Sequence, residues 1–572
     1  MKRVLGYMTE YWYYYLVGTL AMIAGIWLDM NSPIITGRLI DDVIVGGDTS
    51  IFSLLIWMIV GITVGRAIFG YIKEMAFDLA GAYITKKLRK SLFDHIQSLS
   101  QNFFEEKNTG ELMARLKEDG EKVMHGISFG IMLVLEMGIS LVVAVVLMLK
   151  IHVTLSLITF AALPIIGWLA FKLNKEIDDI YGKISEKNAE LNTTAQENIA
   201  GVRLVKAFAR EKYEVQKFLK QNKGYHDLNM AYARSIGSRF PSIEMLSNLL
   251  PVLAIVIGGT FVIRAELSIG TLAKFMGYSY MIVWPIRMIG WLSSLMAEAV
   301  GGMKKIDKVF ANEAMIYDRE GAEVLEACLG YVSFEHVTLK LNDREVLTDI
   351  NFNIKPGQTL AIMGATGSGK TSIINLLERF YEPTEGEVLV DGHNINDLTL
   401  ESLRNKIAVV MQEVFLFSNS IVNNIHFGND SQLTMENVSS SAVAAQAHDF
   451  VERMDEGYDT VIGERGIGLS GGQKQRISIA RAFAKEAQIL VMDDATSALD
   501  METEHQIQRE IEKRKGVTKI IVAHRISAVK DADEIILLEG GAIVERGTHK
   551  ELLAQQGRYY ETFSEQYEGY SA

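Results

Sequence analysis

The chain has 572 residues, too many for a single hydrophobic core, so at least two domains are expected. Mean hydropathy is +0.14 and 49% of the residues are hydrophobic, which is high for an enzyme that lives wholly in water. A net charge of −13 and a pI of about 5.5 argue against nucleic acid as the main partner, and the single cysteine, Cys328, excludes an internal disulfide.

The apolar residues crowd the first half. Residues Met1–Glu10 lack the small-residue cleavage site of a signal peptide, and the long, aromatic stretch after them is expected to stay as an anchor. Six stretches are long enough to cross a hydrocarbon core as helices. They centre on Tyr13–Met30, Phe52–Ile72, Ile127–Leu149, Leu155–Phe171, Leu246–Ile263 and Leu272–Met296. Arg66 interrupts the second, Glu136 the third, and Lys274, Pro285 and Arg287 the sixth. Several apolar spans with short connections fit a lipid bilayer far better than a soluble core.

The connections alternate in length. Lys150–Val153 and Arg264–Gly270 leave room only for tight hairpins. About fifty polar residues separate the second and third spans, and a longer stretch separates the fourth and fifth. Both long connections are helical in pattern and rich in Lys and Arg, as in Lys86-Lys87-Leu88-Arg89-Lys90. Basic residues concentrate on the cytoplasmic side, so these connections and both termini are expected there. The Tyr11–Tyr15 cluster suits a headgroup-level aromatic belt.

Two features of the spans bear on cargo. Glu136 is an acid within a span, costly in lipid, and fits either a contact to a cationic substrate or a pairing with a base such as Arg66. The sixth span carries Phe275, Met276, Tyr278, Tyr280, Met281, Trp284 and Met288. Aromatics and flexible methionines suit a promiscuous cavity, and equally a lipid-facing helix. Glu136, Met281, Trp284 and Met288 are the substrate-contact candidates.

From about Tyr331 the pattern changes to short strands alternating with helices and turns. Gly364-Ala365-Thr366-Gly367-Ser368-Gly369-Lys370-Thr371 matches the phosphate-binding loop G-x-x-x-x-G-K-[ST] at every fixed place, and Ser372 follows it. An apolar, β-favouring segment (Thr359–Met363) precedes the loop and a helix-like segment (Thr371–Phe380) follows, which is the context a working cradle needs. Glycines let backbone N–H groups turn onto phosphate oxygens, Lys370 supplies a point charge, and Thr371 can hold Mg²⁺. The segment Ile489–Met492 reads as a buried strand ending in two acids. Asp493 can share the metal with Thr371, and Asp494 can orient or deprotonate an attacking water. Ser470-Gly471-Gly472-Gln473 opens a helix read as Gln475–Lys485 and offers exposed N–H groups as a second anion site. Gln412 follows the strand Ile407–Met411, where an amide can reach the metal or the water. His524 follows the strand Lys519–Ala523, where an imidazole can touch a γ-phosphate.

Together these residues resemble the ATP-binding-cassette superfamily, over essentially the whole chain. Gly364–Thr371 resembles its Walker A loop, Gln412 its Q-loop and Leu469–Gln473 its signature. Ile489–Asp493 resembles Walker B, Ser497-Ala498-Leu499-Asp500 the D-loop, and His524 the switch histidine. Thr460–Gly466 resembles the loop that exporters place just before the signature. The first half is similar to the exporter type, with coupling helices expected near Glu111–Asp119 and Phe208–Phe218. The resemblance implies an all-α six-helix transmembrane domain with long cytoplasmic helical extensions over residues 1–315, a linker over 316–330, and an α/β P-loop nucleotide-binding domain over 331–572. It also implies ATP and Mg²⁺ as cofactors and a second half-transporter as partner, because each ATP sits between Walker A of one cassette and the signature of the other. The activity implied is ATP-driven export of a small amphipathic compound, drug or lipid, across a membrane; the compact, tag-free architecture makes a bacterial plasma membrane the expected one.

Two positions depart from the family pattern. The carboxylate after Walker B is usually Glu and here is Asp494; the aromatic that stacks on adenine is here Leu341. Both belong to the site built on this chain's own Walker A, while the signature is intact. That asymmetry resembles the degenerate half of a heterodimeric exporter, the alternative being a homodimer that tolerates Asp and Leu.

Overall fold

The computed structural model describes residues 2–342, 344–427, 434–463, 466 and 468–567. Glu464 and Arg465 of the loop before the signature therefore lie outside the described residues. The chain divides into two compact units. One comprises the chain up to Ser98 together with Glu106–Glu313; the other comprises Leu99–Glu105 and everything from Ala314 onward.

The first unit is all helix. Six helical segments are long and apolar enough to cross a membrane: Trp12–Val45, Thr49–Ser98, Thr109–Ile151, Val153–Ala200, Glu211–Ile263 and Ile269–Phe310. The second contains an unbroken α-helix, Phe52–Ser98, of 47 residues. At 1.5 Å per residue it is about 70 Å long, more than twice the ~30 Å hydrocarbon core, so one helix supplies both span and polar extension. The hairpin between the third and fourth segments is made by one residue. His152 sits at φ −161°, ends one helix and caps the next by accepting a hydrogen bond from Leu155 N–H. The buried core between the helices is built from Met22, Phe77, Met148, Leu155, Phe275 and Tyr278 among others.

The second coupling-helix position read from the sequence needs correction. A short helix spans Val202–Ala207, and Phe208–Phe218 instead runs into the long helix Glu211–Ile263. The break falls at Ala209, whose φ of +51° is left-handed and incompatible with a continuing helix. In the first connection, Leu99–Glu105 groups with the second unit, whereas Glu111–Asp119 remains in the first. Within the second unit, Ser100 Oγ accepts from Ile316 N–H and Tyr381 Oη donates to the Glu105 carboxylate. Residues 316–330 are likewise no free tether. Leu325 is buried in the second unit's core, and Glu323 forms a β-bridge with Leu398.

The second unit carries two sheets. The strands are β1 (Val332–Leu341), β2 (Arg344–Ile354), β3 (Thr359–Gly364), β4 (Glu385–Val390), β5 (His393–Asn394), β6 (Ile407–Val410), β7 (Ile489–Asp493), β8 (Thr518–Val522), β9 (Glu534–Glu539) and β10 (Ala542–Gly547). The first sheet is antiparallel in the order β2-β1-β4-β5, and the second runs β10-β9-β3-β8-β7-β6. From β9 to β6 the second sheet is parallel, so β3, β6, β7 and β8 release their chain ends along one edge. Ligand-binding residues collect outside the carboxyl ends of such strands. The run Ile489–Asp493 is buried at every residue, as a central parallel strand requires.

Candidate functional site

The loop after β3 is shaped by glycine. Gly364 (φ +150°) and Gly369 (φ +103°) take backbone angles that L side chains rarely adopt. A Cβ at Gly364 would lie 2.4 Å from Leu538 O, and one at Gly369 would lie 2.6 Å from Leu347 Cδ2. The helix Lys370–Leu377 starts directly from this turn, with its N–H groups facing the loop. Lys370 Nζ donates to Gly364 O and Ala365 O, each at 2.9 Å. Lys370 is buried; desolvation lowers its pKa, against the opposing pull of Asp493 and Asp494. Ser368 is 5% exposed, and its Oγ has no hydrogen-bond partner among the described residues. A buried hydroxyl without a partner, inside a glycine cradle, fits a ligand with phosphate oxygens.

The other strand ends face the same space. A cavity of about 270 Å³ is lined by Thr366, Gly367, Gly369, Lys370, Thr371 and Ser372 of the loop, and by Gln412, Asp493, Asp494 and His524. Thr371 Oγ1 donates to Asp493 Oδ2 at 3.0 Å, so the hydroxyl and carboxylate already meet across two elements. Such hard oxygen donors suit Mg²⁺. Burial raises the pKa of Asp493, opposed by the Thr371 hydrogen bond and by Lys370 and His524. Asp494 sits at φ +46°, the left-handed region, with its N–H held by Val522 O at 2.9 Å. Asp tolerates that conformation better than longer side chains do.

The signature residues open a separate helix, Gly471–Ala484. Ser470 and Gln473 form a reciprocal capping box, so Ser470 Oγ is engaged with Gln473 N–H and the start of this helix is preformed. Ser470 and Gly471 are exposed. They do not line the cavity around Lys370.

Some expected residues fall elsewhere. Leu341 ends β1 half-buried against the sheet core and does not line the phosphate-loop cavity; Val346 of β2 does. Val346 lies at an irregularity of the β1–β2 pairing, between the paired Glu345 and Leu347, which no local motif signals. Gln475, in the helix after the signature, has a role that no local motif signals. It is buried and grips the D-loop twice, with Nε2 donating to Ser497 Oγ at 3.3 Å and Oε1 accepting from Ala498 N–H at 3.0 Å. Gln566 brackets the switch histidine in the same way, donating to His524 O at 2.8 Å and accepting from Ile526 N–H at 2.9 Å.

The chain's first part, residues 15–286, matches the model of the ABC transporter transmembrane region, and residues 347–497 match that of the ABC transporter domain. The chain belongs to the ABC transporter family. It is 35% identical over 572 residues to the uncharacterized ABC transporter ATP-binding protein YknU of Bacillus subtilis (strain 168), covering 99% of this chain and 97% of the relative. It is 33% identical over 582 residues to the ATP-dependent lipid A-core flippase of Methylococcus capsulatus, covering 100% and 95%. Among solved structures it resembles a bacterial Atm1-family ABC exporter with ATP bound, with a TM-score of 0.82, 27% identity, and coverage of 97% of this chain and 98% of that one. The transporter thus has the exporter fold: six apolar helices followed by an ATP-binding domain whose ATPase activity is coupled to transport. It is a multi-pass membrane protein, and ABC exporters work as dimers.

Within the membrane unit, a cavity of about 770 Å³ has Glu136, Trp284 and Met288 in its wall. Met281 is not in that wall and packs half-buried on the helical core, as Phe275 and Tyr278 do fully buried. The Tyr278 hydroxyl donates to Met30 O at 2.9 Å, a structural bond. Glu136 does not pair with Arg66. Lys73, two helical turns further along, takes Glu136, and Arg66 pairs with Asp29 at 2.7 Å.

Proposed function

We propose that this transporter is one half of a dimeric exporter that moves amphipathic compounds, drugs or lipids, out across the bacterial plasma membrane. ATP would be held by Gly364–Ser372, and Thr371, Asp493 and Gln412 would hold its Mg²⁺, which would supply charge neutralisation to the phosphates. Ser470–Gln473 serve the partner's nucleotide. ATP binding stabilises the closed pair of cassettes, and hydrolysis followed by release reopens it, a two-state cycle driven by differential affinity. The names of relatives support the cargo class: one is a lipid A-core flippase and another, 32% identical over 573 residues, a putative multidrug export protein of Bacillus subtilis.

The partner is a different chain with Glu after its own Walker B, and this chain's site hydrolyses weakly. Asp494 carries this reading. It stands at the end of β7 beside Asp493, and its carboxylate is one methylene shorter than a glutamate's. A misplacement of about 1 Å in a catalytic group costs about a hundredfold in rate. The deciding experiment is ATPase activity of the purified chain alone in lipid. Low turnover that rises when the partner is added is expected. Robust turnover of the chain alone, abolished by Asp494→Ala, establishes a homodimer with a competent site instead.

A further inference from the structure

The charged groups around the membrane cavity can be paired off. Its wall includes Lys73, Glu74, Glu136 and Arg287. Lys73 and Glu136 are bound to each other at 2.8 Å, with side chains 11% and 29% exposed. Arg287 is bound to Glu244 on the neighbouring helix at 2.5 Å. These five groups comprise two cations and three carboxylates, and the pairs leave one carboxylate over. That carboxylate is Glu74, which has neither ion pair nor hydrogen bond among the described residues. It sits next to Lys73 in the chain, on the helix Phe52–Ser98.

The rest of the wall is apolar and aromatic. Trp284 and Trp291 are 48% and 41% exposed, and Phe129 packs edge-on against Trp291 at 5.9 Å. One ring of the wall already holds a cation, since the Arg287 guanidinium lies 5.5 Å from the centre of Phe240. Exposed ring faces beside a carboxylate without a counter-ion attract a positive charge on two counts, ring quadrupole and Coulomb attraction. An ionisable residue within a membrane unit that faces a cavity commonly marks the cargo path.

We infer that this cavity takes an amphipathic cation, with Glu74 as its counter-ion and the Trp284 and Trp291 faces against its apolar body. The inference rests on the exporter reading and adds to it the sign of the cargo's charge. It also moves the cargo-binding acid from Glu136, which Lys73 neutralises, to Glu74.

The test uses the full-length transporter in lipid nanodiscs and two probes of like size and opposite charge, tetraphenylphosphonium and tetraphenylborate. Binding is followed by quenching of tryptophan fluorescence, and protein-free discs correct for partition into lipid. Glu74→Gln is expected to weaken phosphonium binding by about tenfold or more and to leave borate binding unchanged or tighter. Glu74→Asp keeps the charge and retains most of the phosphonium affinity. Equal loss for both probes in Glu74→Gln, or no loss for phosphonium, overturns the inference; so does loss of phosphonium binding in Glu74→Asp equal to that in Glu74→Gln. The exporter reading has its own readout in the wild-type protein. ATP-dependent uptake of a neutral amphipathic dye into inverted vesicles sustains it whatever Glu74 does, and failure with every amphipath sinks it.

Discussion

Lys73 Nζ lies 2.9 and 2.8 Å from the two carboxylate oxygens of Glu136, tying the second spanning helix to the third. The ammonium is nearly buried, so removing its partner leaves a desolvated charge. Glu136→Gln is therefore expected to destabilise the membrane unit by about 3 kcal/mol. The pair Lys73→Met with Glu136→Leu is expected to recover most of that loss, because two apolar groups need no compensation. Thermal unfolding in nanodiscs reads both. Transport of cationic and neutral compounds should fall together in Glu136→Gln; a loss confined to cations would return the cargo role to Glu136.

Asp494 tests the division of labour between the two ATP sites. Its left-handed backbone suits Asp, so Asp494→Glu incurs a small strain while gaining the missing reach. Hydrolysis by the assembled dimer is expected to rise on this substitution, by up to about a hundredfold at this site. The measurement is steady-state ATPase with the partner's own catalytic carboxylate removed, which isolates the site on this chain. No rise under those conditions would defeat the argument from reach.

The nucleotide site was legible because its residues are fixed by local chemistry. Gly364, Gly369, Lys370 and Thr371 are fixed by what one turn needs to hold phosphates and metal, and a turn announces itself in eight consecutive letters. The spans were legible because lipid demands a length of apolar helix. Contacts between distant helices were not. Arg66 and Lys73 lie two turns apart on one helix, and which faces Glu136 depends on rotation and register that neither sequence encodes locally. The second coupling position is hidden for a similar reason. Phe208 to Phe218 keeps a helical pattern, and nothing in Ala209 as a residue type signals a positive φ. Likewise Val346 lines the phosphate-loop cavity from an irregularity in the β1–β2 pairing, a property of two strands together.

Tyr381 offers a test of how the first connection is held. The residue is 5% exposed, and its hydroxyl donates to Glu105 in the segment that groups with the second unit. Burial raises the phenol's pKa, with the Glu105 carboxylate adding to it, so the proton stays on and the bond stays made. A hydrogen bond to a charged group contributes about 1.5–3 kcal/mol. Tyr381→Phe removes it with little change in packing. ATP-driven dye uptake is expected to fall severalfold per ATP hydrolysed, while ATP binding at Lys370 is kept. Uptake and hydrolysis falling in constant proportion would show that the bond is only structural.

Glu378 gives the protein a pH-dependent stability of definite sign. It follows the helix Lys370–Leu377, is 9% exposed, and its Oε2 has no hydrogen-bond partner among the described residues. Burial pushes its pKa up from 4.5 to about 7, against the pull of Arg404 and Lys485. An unfolded glutamate gives up its proton near 4.5, whereas the folded one keeps it to about 7. Between those values the folded state binds more protons, so stability is fully present at the acid end and is lost as pH rises through the folded value. The full shift corresponds to roughly 3 kcal/mol. Glu378→Gln has no proton to lose, so its unfolding temperature should decline less than the wild type's between about pH 5 and pH 8. Lys485 adds a check on the cause. Its Nζ donates to Arg404 O and Ile407 O, at 2.7 and 2.8 Å, and helps offset the buried carboxylate. Lys485→Met should therefore steepen the wild-type decline and leave the Glu378→Gln slope nearly as it was. Parallel slopes in wild type and Glu378→Gln would mean that water reaches this carboxyl and that burial does not govern it.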